Sequence, residues 1–186
     1  MSEDLDQWRK GLEVFDDANE LIACSLFATV GKPASLLDVG CGTGKIVKIA
    51  RVLGVDAIGI DQLVNDSYGA GFVKHDLRKP LDVGRKFGMV TTIEVAEHLE
   101  PEYSEIFVDS LALHVAPQGV LIFTAALPGQ SGLNHFNCQF PEWWANRIYK
   151  RGLRQNVELT WRVALAWSLT PTQLRFLAAN VQVWQA

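Results

Sequence analysis

The chain has 186 residues, 48% of them apolar and 20% charged, with a formal net charge of −4. That length is ample for one buried core, and the composition is ordinary for a globular domain. The acidic balance disfavours a broad nucleic-acid footprint, which needs excess Lys and Arg, and no apolar run reaches membrane-spanning length. Cys24, Cys41 and Cys138 are odd in number and widely spaced, which suggests neither a disulfide framework nor a zinc site. The start, "MSEDLDQWRK", is polar and acidic and lacks the apolar centre of a signal peptide, so a cytoplasmic protein is expected.

A helical segment is expected over about residues 1–32. Within it, "DANELIACSLFATV" (17–30) places Ala18, Leu21, Ile22 and Ser25 near one face, with Asp16 or Asp17 as the cap. Gly31-Lys32-Pro33 ends it. A short buried strand follows at 35–39, then a glycine loop. "KIVKIARVLG" is a helix whose stripe is Ile46, Ile49, Ala50 and Leu53, stopped by Gly54. "DAIGID", "GFVKHDL", "FGMVTTIEV" and "GVLIFTAAL" read as strands two to five. A helix starting at Pro101, a favoured first helical residue, separates the last two. Strands with continuous apolar cores, alternating with helices, predict a single α/β domain spanning 1–186, its parallel sheet covered on both faces.

The glycine loop, "LLDVGCGTGK" (36–45), admits several ligands. A phosphate-cradling P-loop needs a glycine five residues before the Gly-Lys pair and Ser or Thr after it. Those positions hold Val39 and Ile46, so the phosphate reading fails. The dinucleotide pattern G-x-G-x-x-G is met by Gly40 and Gly42, but Lys45 stands where the third glycine belongs. That reading is weakened and stays open. What remains is D-x-G-x-G-x-G: Asp38, Gly40, Gly42 and Gly44. Missing side chains let a ligand lie against the backbone where a parallel sheet binds ligands. Asp38 at the strand end can meet an amino group or a positive centre. Asp61 ends the second strand about 20 residues beyond the first glycine, where an acid hydrogen-bonds ribose hydroxyls. Asp76 in "KHDL" can accept from an adenine amino group, with Leu77 against the ring. Three acids on three strand ends suit a ligand with ribose, amine and sulfonium, and suit pyrophosphate badly.

With "AIGID", "KHDL", "TTIEVAEHLEPE" and "APQGVLIFTAAL" in order after that loop, the chain resembles the class I S-adenosylmethionine-dependent methyltransferases over about residues 35–127. The resemblance implies a doubly wound, Rossmann-like fold with a seven-stranded, mostly parallel sheet and an antiparallel last strand. "NVELTW" and "NVQVWQA" would supply the remaining two strands. It also implies a cofactor pocket of Asp38, Gly40, Cys41, Gly42, Thr43, Gly44, Asp61, Gln62, Asp76, Leu77 and Glu94, with Cys41 and Thr43 contributing backbone amides.

In "EVAEHLEPE", Glu94, Glu97 and His98 fall at i, i+3 and i+4, one face of a helical turn. Some methyltransferases, including small-RNA 3′-terminal 2′-O-methyltransferases and ubiquinone-pathway O-methyltransferases, use a Glu-x-x-Glu-His group with a downstream histidine to hold a divalent cation. His135 in "GLNHFNCQF" stands where that histidine belongs. Two carboxylates and two imidazoles suit Mg²⁺ or Mn²⁺, which would lower the acceptor's pKa. Without a metal, Glu97 would line the reacting centre and His98 or His135 would act as general base.

"NHFNCQFPEWWANRIYKRG" resembles the segment after strand five in methyltransferases acting on saccharides and related natural products. Trp143, Trp144 and Tyr149 offer a stacking wall, although adjacent tryptophans cannot share a helix face, so one belongs to the core. Trp161, Trp167 and Trp184 are expected in the core or covering the sheet. The expected activity is O-methylation of a small-molecule or saccharide hydroxyl. RNA 3′-end 2′-O-methylation and a non-catalytic S-adenosylmethionine-binding scaffold are the alternatives.

Overall fold

A computed structural model describes residues 16–169 and 175–186. Residues 1–15, nearly half of the expected N-terminal segment, lie outside the described residues, as do the side chains of Asp16, Asp17 and Ala18 with the expected cap. Helix α1 (Asp16–Val30) leads into strand β1 (Ser35–Val39), α2 (Lys45–Val52), β2 (Asp56–Asp61), β3 (Phe72–Lys74) and β4 (Phe87–Thr92). Then come α3 (Ser104–Leu113), β5 (Val115–Phe123), α4 (Pro141–Lys150), β6 (Arg154–Gln155), α5 (Val157–Ser168), α6 (Arg175–Asn180) and β7 (Gln182–Gln185). The sheet has seven strands in the order β3-β2-β1-β4-β5-β7-β6. Strands β1 to β5 pair in parallel, and β7 runs antiparallel between β5 and β6. This is the expected doubly wound architecture with its reversed last strand.

Alternation along the buried strands builds two cores. On one face Leu36, Met89 and Ile122 pack with Ile22, Leu26, Val47, Val163 and Trp167 from α1, α2 and α5. On the other, Leu37, Val90 and Leu121 pack with Phe107, Leu111, Trp144 and Ile148 from α3 and α4. Because β1 has β2 on one side and β4 on the other, the winding reverses there. The carboxyl ends of β1 and β4 therefore flank a crevice in which such sheets bind ligands.

Five expectations are corrected. "NVELTW" alternates apolar and polar residues like a strand, yet it opens α5: the Asn156 side chain accepts from Leu159 N at 2.9 Å and caps the helix, and the buried positions are Val163 and Trp167, four apart. The sixth strand is the two-residue β6 just upstream. Trp161 accordingly faces out, 73% exposed, whereas Trp144, Trp167 and Trp184 are core. On α1 the buried face is Ile22, Ala23, Leu26 and Phe27, while Leu21 is 48% exposed. On α2, Ile46, Val47 and Ala50 are buried, with Leu53 outside. Pro101 begins a 3₁₀ turn, Pro101–Tyr103, and α3 follows it. No helix among the described residues is long and apolar enough to cross a membrane.

Candidate functional site

The glycine turn is backbone brought close to backbone. Gly40, Gly42 and Gly44 all have positive φ, 81°, 52° and 76°, a region that side chains disfavour. At Gly40 a Cβ would lie 2.3 Å from a Val95 methyl carbon, so the turn is pressed against the segment that follows β4. Gly40 N and Cys41 N both donate to Ile60 O, at 2.8 and 3.0 Å. The Asp61 carboxylate accepts from Gly42 N and Leu63 N, each at 2.9 Å, tying the turn to the end of β2. Tyr68 donates its hydroxyl to Gly42 O at 3.0 Å. Gln62 is exposed beside Asp61, and Thr43 is half-buried on the turn.

Two acids face this turn from the strand ends. Asp38 is 2% exposed and accepts from Thr91 Oγ1 at 2.7 Å. Burial first, then the charge of Asp61, lifts its pKa to about 7. Burial also raises Asp61, against hydrogen bonds that lower it. Cys41 is buried, and burial followed by the charges of Asp38 and Asp61 holds its thiol protonated. The nearby cations turn away: Lys48 donates to Thr43 O and Lys45 pairs with Glu20. Asp76 is placed differently from the other two. Arg78 grips it through Nε and Nη2, each at 2.9 Å, and holds its carboxyl below the usual range. Leu77 packs on the core edge beside it.

Beyond β4 the chain turns sharply. Glu94 has a φ of 53°, uncommon for a side-chain-bearing residue, and its N–H donates to Thr124 Oγ1 at 2.8 Å. The helical turn expected for Glu94, Glu97 and His98 covers only Ala96–His98. Glu94 stands before it, its carboxylate accepting from Asn180 Nδ2 at 3.1 and 3.3 Å. Asn180 also donates to Gln130 Oε1 at 3.1 Å. Donor atoms of Glu97, His98 and His135 lie within 4.8 Å of one another, and Glu94 is not part of that group.

The Glu97 carboxyl is fully buried; neither oxygen meets a well-formed donor, and the group lies against the Glu94 carboxyl. Burial and then the charge of Glu94 push its pKa up to about 9; burial likewise raises Glu94. His98 Nδ1 lies 3.1 Å from Asn134 O and His135 Nδ1 3.2 Å from Gln130 O. The two rings meet edge to face, centroids 4.9 Å apart. Burial lowers His98 to about 4, so its ring is neutral at pH 7. The segment after β5 is clamped over this turn, with Phe136 N and Asn137 N donating to Glu97 O at 2.9 and 3.0 Å. It leaves Leu133, Phe136 and Phe140 exposed.

Thr91, Thr124, Gln130, Tyr68 and Asn180 complete the site without a local signal in the sequence. The one signal that could have been used is the Thr91-Thr92 pair, polar at the end of an apolar strand. Buried acceptors without donors gather at the end of β4: both Glu97 oxygens, and Asn180 Oδ1 from the neighbouring α6. Unpaired buried carboxylates call for a cation or a proton.

The sequence profile of a family described as a methyltransferase domain matches residues 14–174. No curated protein matches the sequence. Among solved structures, the chain is similar to an O-methyltransferase family protein from Burkholderia thailandensis, 13% identical with a TM-score of 0.66, over 97% of this chain and 58% of that one. It is similar to a SAM-dependent methyltransferase from Archaeoglobus fulgidus, 17% identical with a TM-score of 0.65, over 96% and 99% of the two chains. A SAM-bound amino pentose methyltransferase from Micromonospora echinaspora is 24% identical with a TM-score of 0.50, over 63% of this chain and 54% of that one. The chain thus spans under two thirds of the Burkholderia and Micromonospora proteins.

Proposed function

The chain belongs to the methyltransferase-domain family, with a class I fold, and from that premise we propose that it is an S-adenosylmethionine-dependent enzyme methylating a hydroxyl of a small molecule or saccharide. The observation that carries this reading is the pairing of an acid-lined glycine turn with a cluster of buried Glu97 and half-buried His98 and His135 across the β1–β4 crevice. The turn fits the cofactor chemically. Its three positive-φ glycines present backbone without side chains, and Asp38 and Asp61 offer negative charge where a phosphate binder would present cations. When bound, the cofactor supplies an electrophilic methyl carbon on a sulfonium.

Asp61 would hold the ribose, with Gln62 beside it. Asp38 would meet the cationic end, and Leu77 would border the base, with Asp76 held back by Arg78. Glu94, fixed by Asn180, borders the pocket from the far side. These groups act by alignment, bringing nucleophile, carbon and sulfur into line. With no cation bound, His135 would accept the acceptor hydroxyl's proton.

Glu97, His98 and His135 also fit a divalent cation: a buried carboxylate without donors and two rings, each with Nδ1 against a backbone carbonyl, the outer contact that orients a ligand imidazole. Such an ion would lower the hydroxyl's pKa. Exposed Leu133, Phe136 and Phe140 beside the histidines give the acceptor side an apolar border. The names of the Burkholderia and Micromonospora proteins, one an O-methyltransferase and one acting on an amino pentose, agree with a small-molecule acceptor.

Calorimetry with S-adenosylhomocysteine, with and without Mn²⁺, tests this on the wild type and on His98→Ala. Saturable binding of the nucleoside by both proteins and Mn²⁺ uptake by the wild type alone is the expected pattern. No nucleoside binding sinks the transferase reading. Nucleoside binding without Mn²⁺ uptake removes the cation and leaves His135 as the base.

A further inference from the structure

The outer face of α5 carries Val157, Trp161, Leu165 and Leu169, 60%, 73%, 64% and 82% exposed. They stand four residues apart, so on a helix they form one continuous ridge. A solvent-facing helix is normally polar on that side, and the opposite layer of this protein obeys the rule: its outer face is laced by Glu105 with Arg147 and Arg151, and by Asp109 with Arg151. On α5 the inner positions Val163 and Trp167 already supply the core contact, so the ridge is surplus to folding.

Helix α1 lies alongside. Trp167 Nε1 donates to Ser25 Oγ at 3.1 Å and Arg162 Nη2 to Thr29 O at 2.9 Å, so the two helices are antiparallel and polar groups line the seam between them. The charged Glu158 and Arg162 flank the ridge on α5. Four large side chains this exposed reach the roughly 300–600 Å² at which the largest patch on a monomer marks a contact site.

We propose that this α5 face is a self-association surface and that its occupant is a second copy of the chain. The spacing favours a copy of itself. About a twofold axis midway between Trp161 and Leu165, each tryptophan meets the partner's Leu165, and each Val157 meets the partner's Leu169. One axis thus satisfies all four positions, as an isologous contact requires. Trp161 at the centre is the anchor type that dominates such contacts. An anionic lipid surface is a poor occupant for a chain of net charge −4.

Sedimentation velocity of the intact chain, from about 1 to 100 µM, decides this. The expected species is twice the 20.6 kDa chain mass. The double variant Trp161→Glu, Leu165→Glu is expected to weaken association at least about 100-fold, as loss of paired anchors does, while keeping S-adenosylhomocysteine binding. Should it fold poorly, Leu169→Lys at the helix end is expected to weaken association about tenfold. A wild type that stays monomeric across the range overturns the proposal, and so does a folded variant that remains dimeric.

Discussion

Asp38 is a carboxyl withdrawn from water, and its ionisation at about pH 7 has two readable consequences. Its folded-state pKa lies above the ordinary 3.8, so the fold favours its protonated form. The associated stability is fully present below pH 3.8 and is lost as pH rises through 7. Asp38→Asn keeps the Thr91 partnership without the charge. It is expected to raise the unliganded melting temperature at pH 8 by roughly 5 °C, with little change at pH 4, in paired thermal melts. The same variant should bind S-adenosylmethionine at least tenfold more weakly at pH 8, because a cationic ligand beside Asp38 needs the carboxylate. Residues of this kind were legible because a motif spaces them along one strand–loop unit. Asn180 was not: it lies 86 positions from the Glu94 carboxylate that it holds, and no local pattern records such a partnership.

Between elements, the contact that matters most is the glycine turn against the segment following β4. The Gly40–Val95 approach makes the cofactor loop and the turn bearing Glu97 and His98 one packed unit. Gly40→Ala places a methyl into Val95 at a φ of 81°. The left-handed conformation alone costs about 1–2 kcal/mol. The expected outcome is a melting temperature lower by roughly 5 °C and a tenfold or greater loss of S-adenosylhomocysteine affinity by calorimetry. Strands β1, β2, β4 and β5 were legible as apolar runs bounded by turn residues. Helix α5 was not, because Val157, Leu159 and Trp161 alternate like a strand. What decides it is distant: Val163 and Trp167 docking under α1, with Asn156 closing the first turn. The Glu-x-x-Glu-His spacing was equally local, and the helical turn expected over it is confined to Ala96–His98 because the backbone reverses at Glu94 before the 3₁₀ turn begins.

Across the whole molecule, the site is assembled from β1 and β2, from the turn after β4, from the segment after β5 and from α6. A ligand bridging them holds both halves of the sheet together and so opposes global unfolding. S-adenosylhomocysteine at 100 times its Kd adds about 2.7 kcal/mol. For a chain this long that corresponds to a melting temperature raised by roughly 5–10 °C, which differential scanning calorimetry reads directly. A rise seen by one probe and not by another would mean that the halves melt separately. The strand order has another outcome, for the way the chain is made. Strand β7 fills the place between β5 and β6 yet leaves the ribosome after both. The apolar flank of β5 therefore waits unpaired while some sixty later residues are translated. Those β5 amides among Val120 to Phe123 that point to β7 should accordingly gain protection against hydrogen exchange later in refolding than those that point to β4, and any helper that guards the nascent protein has that flank to cover.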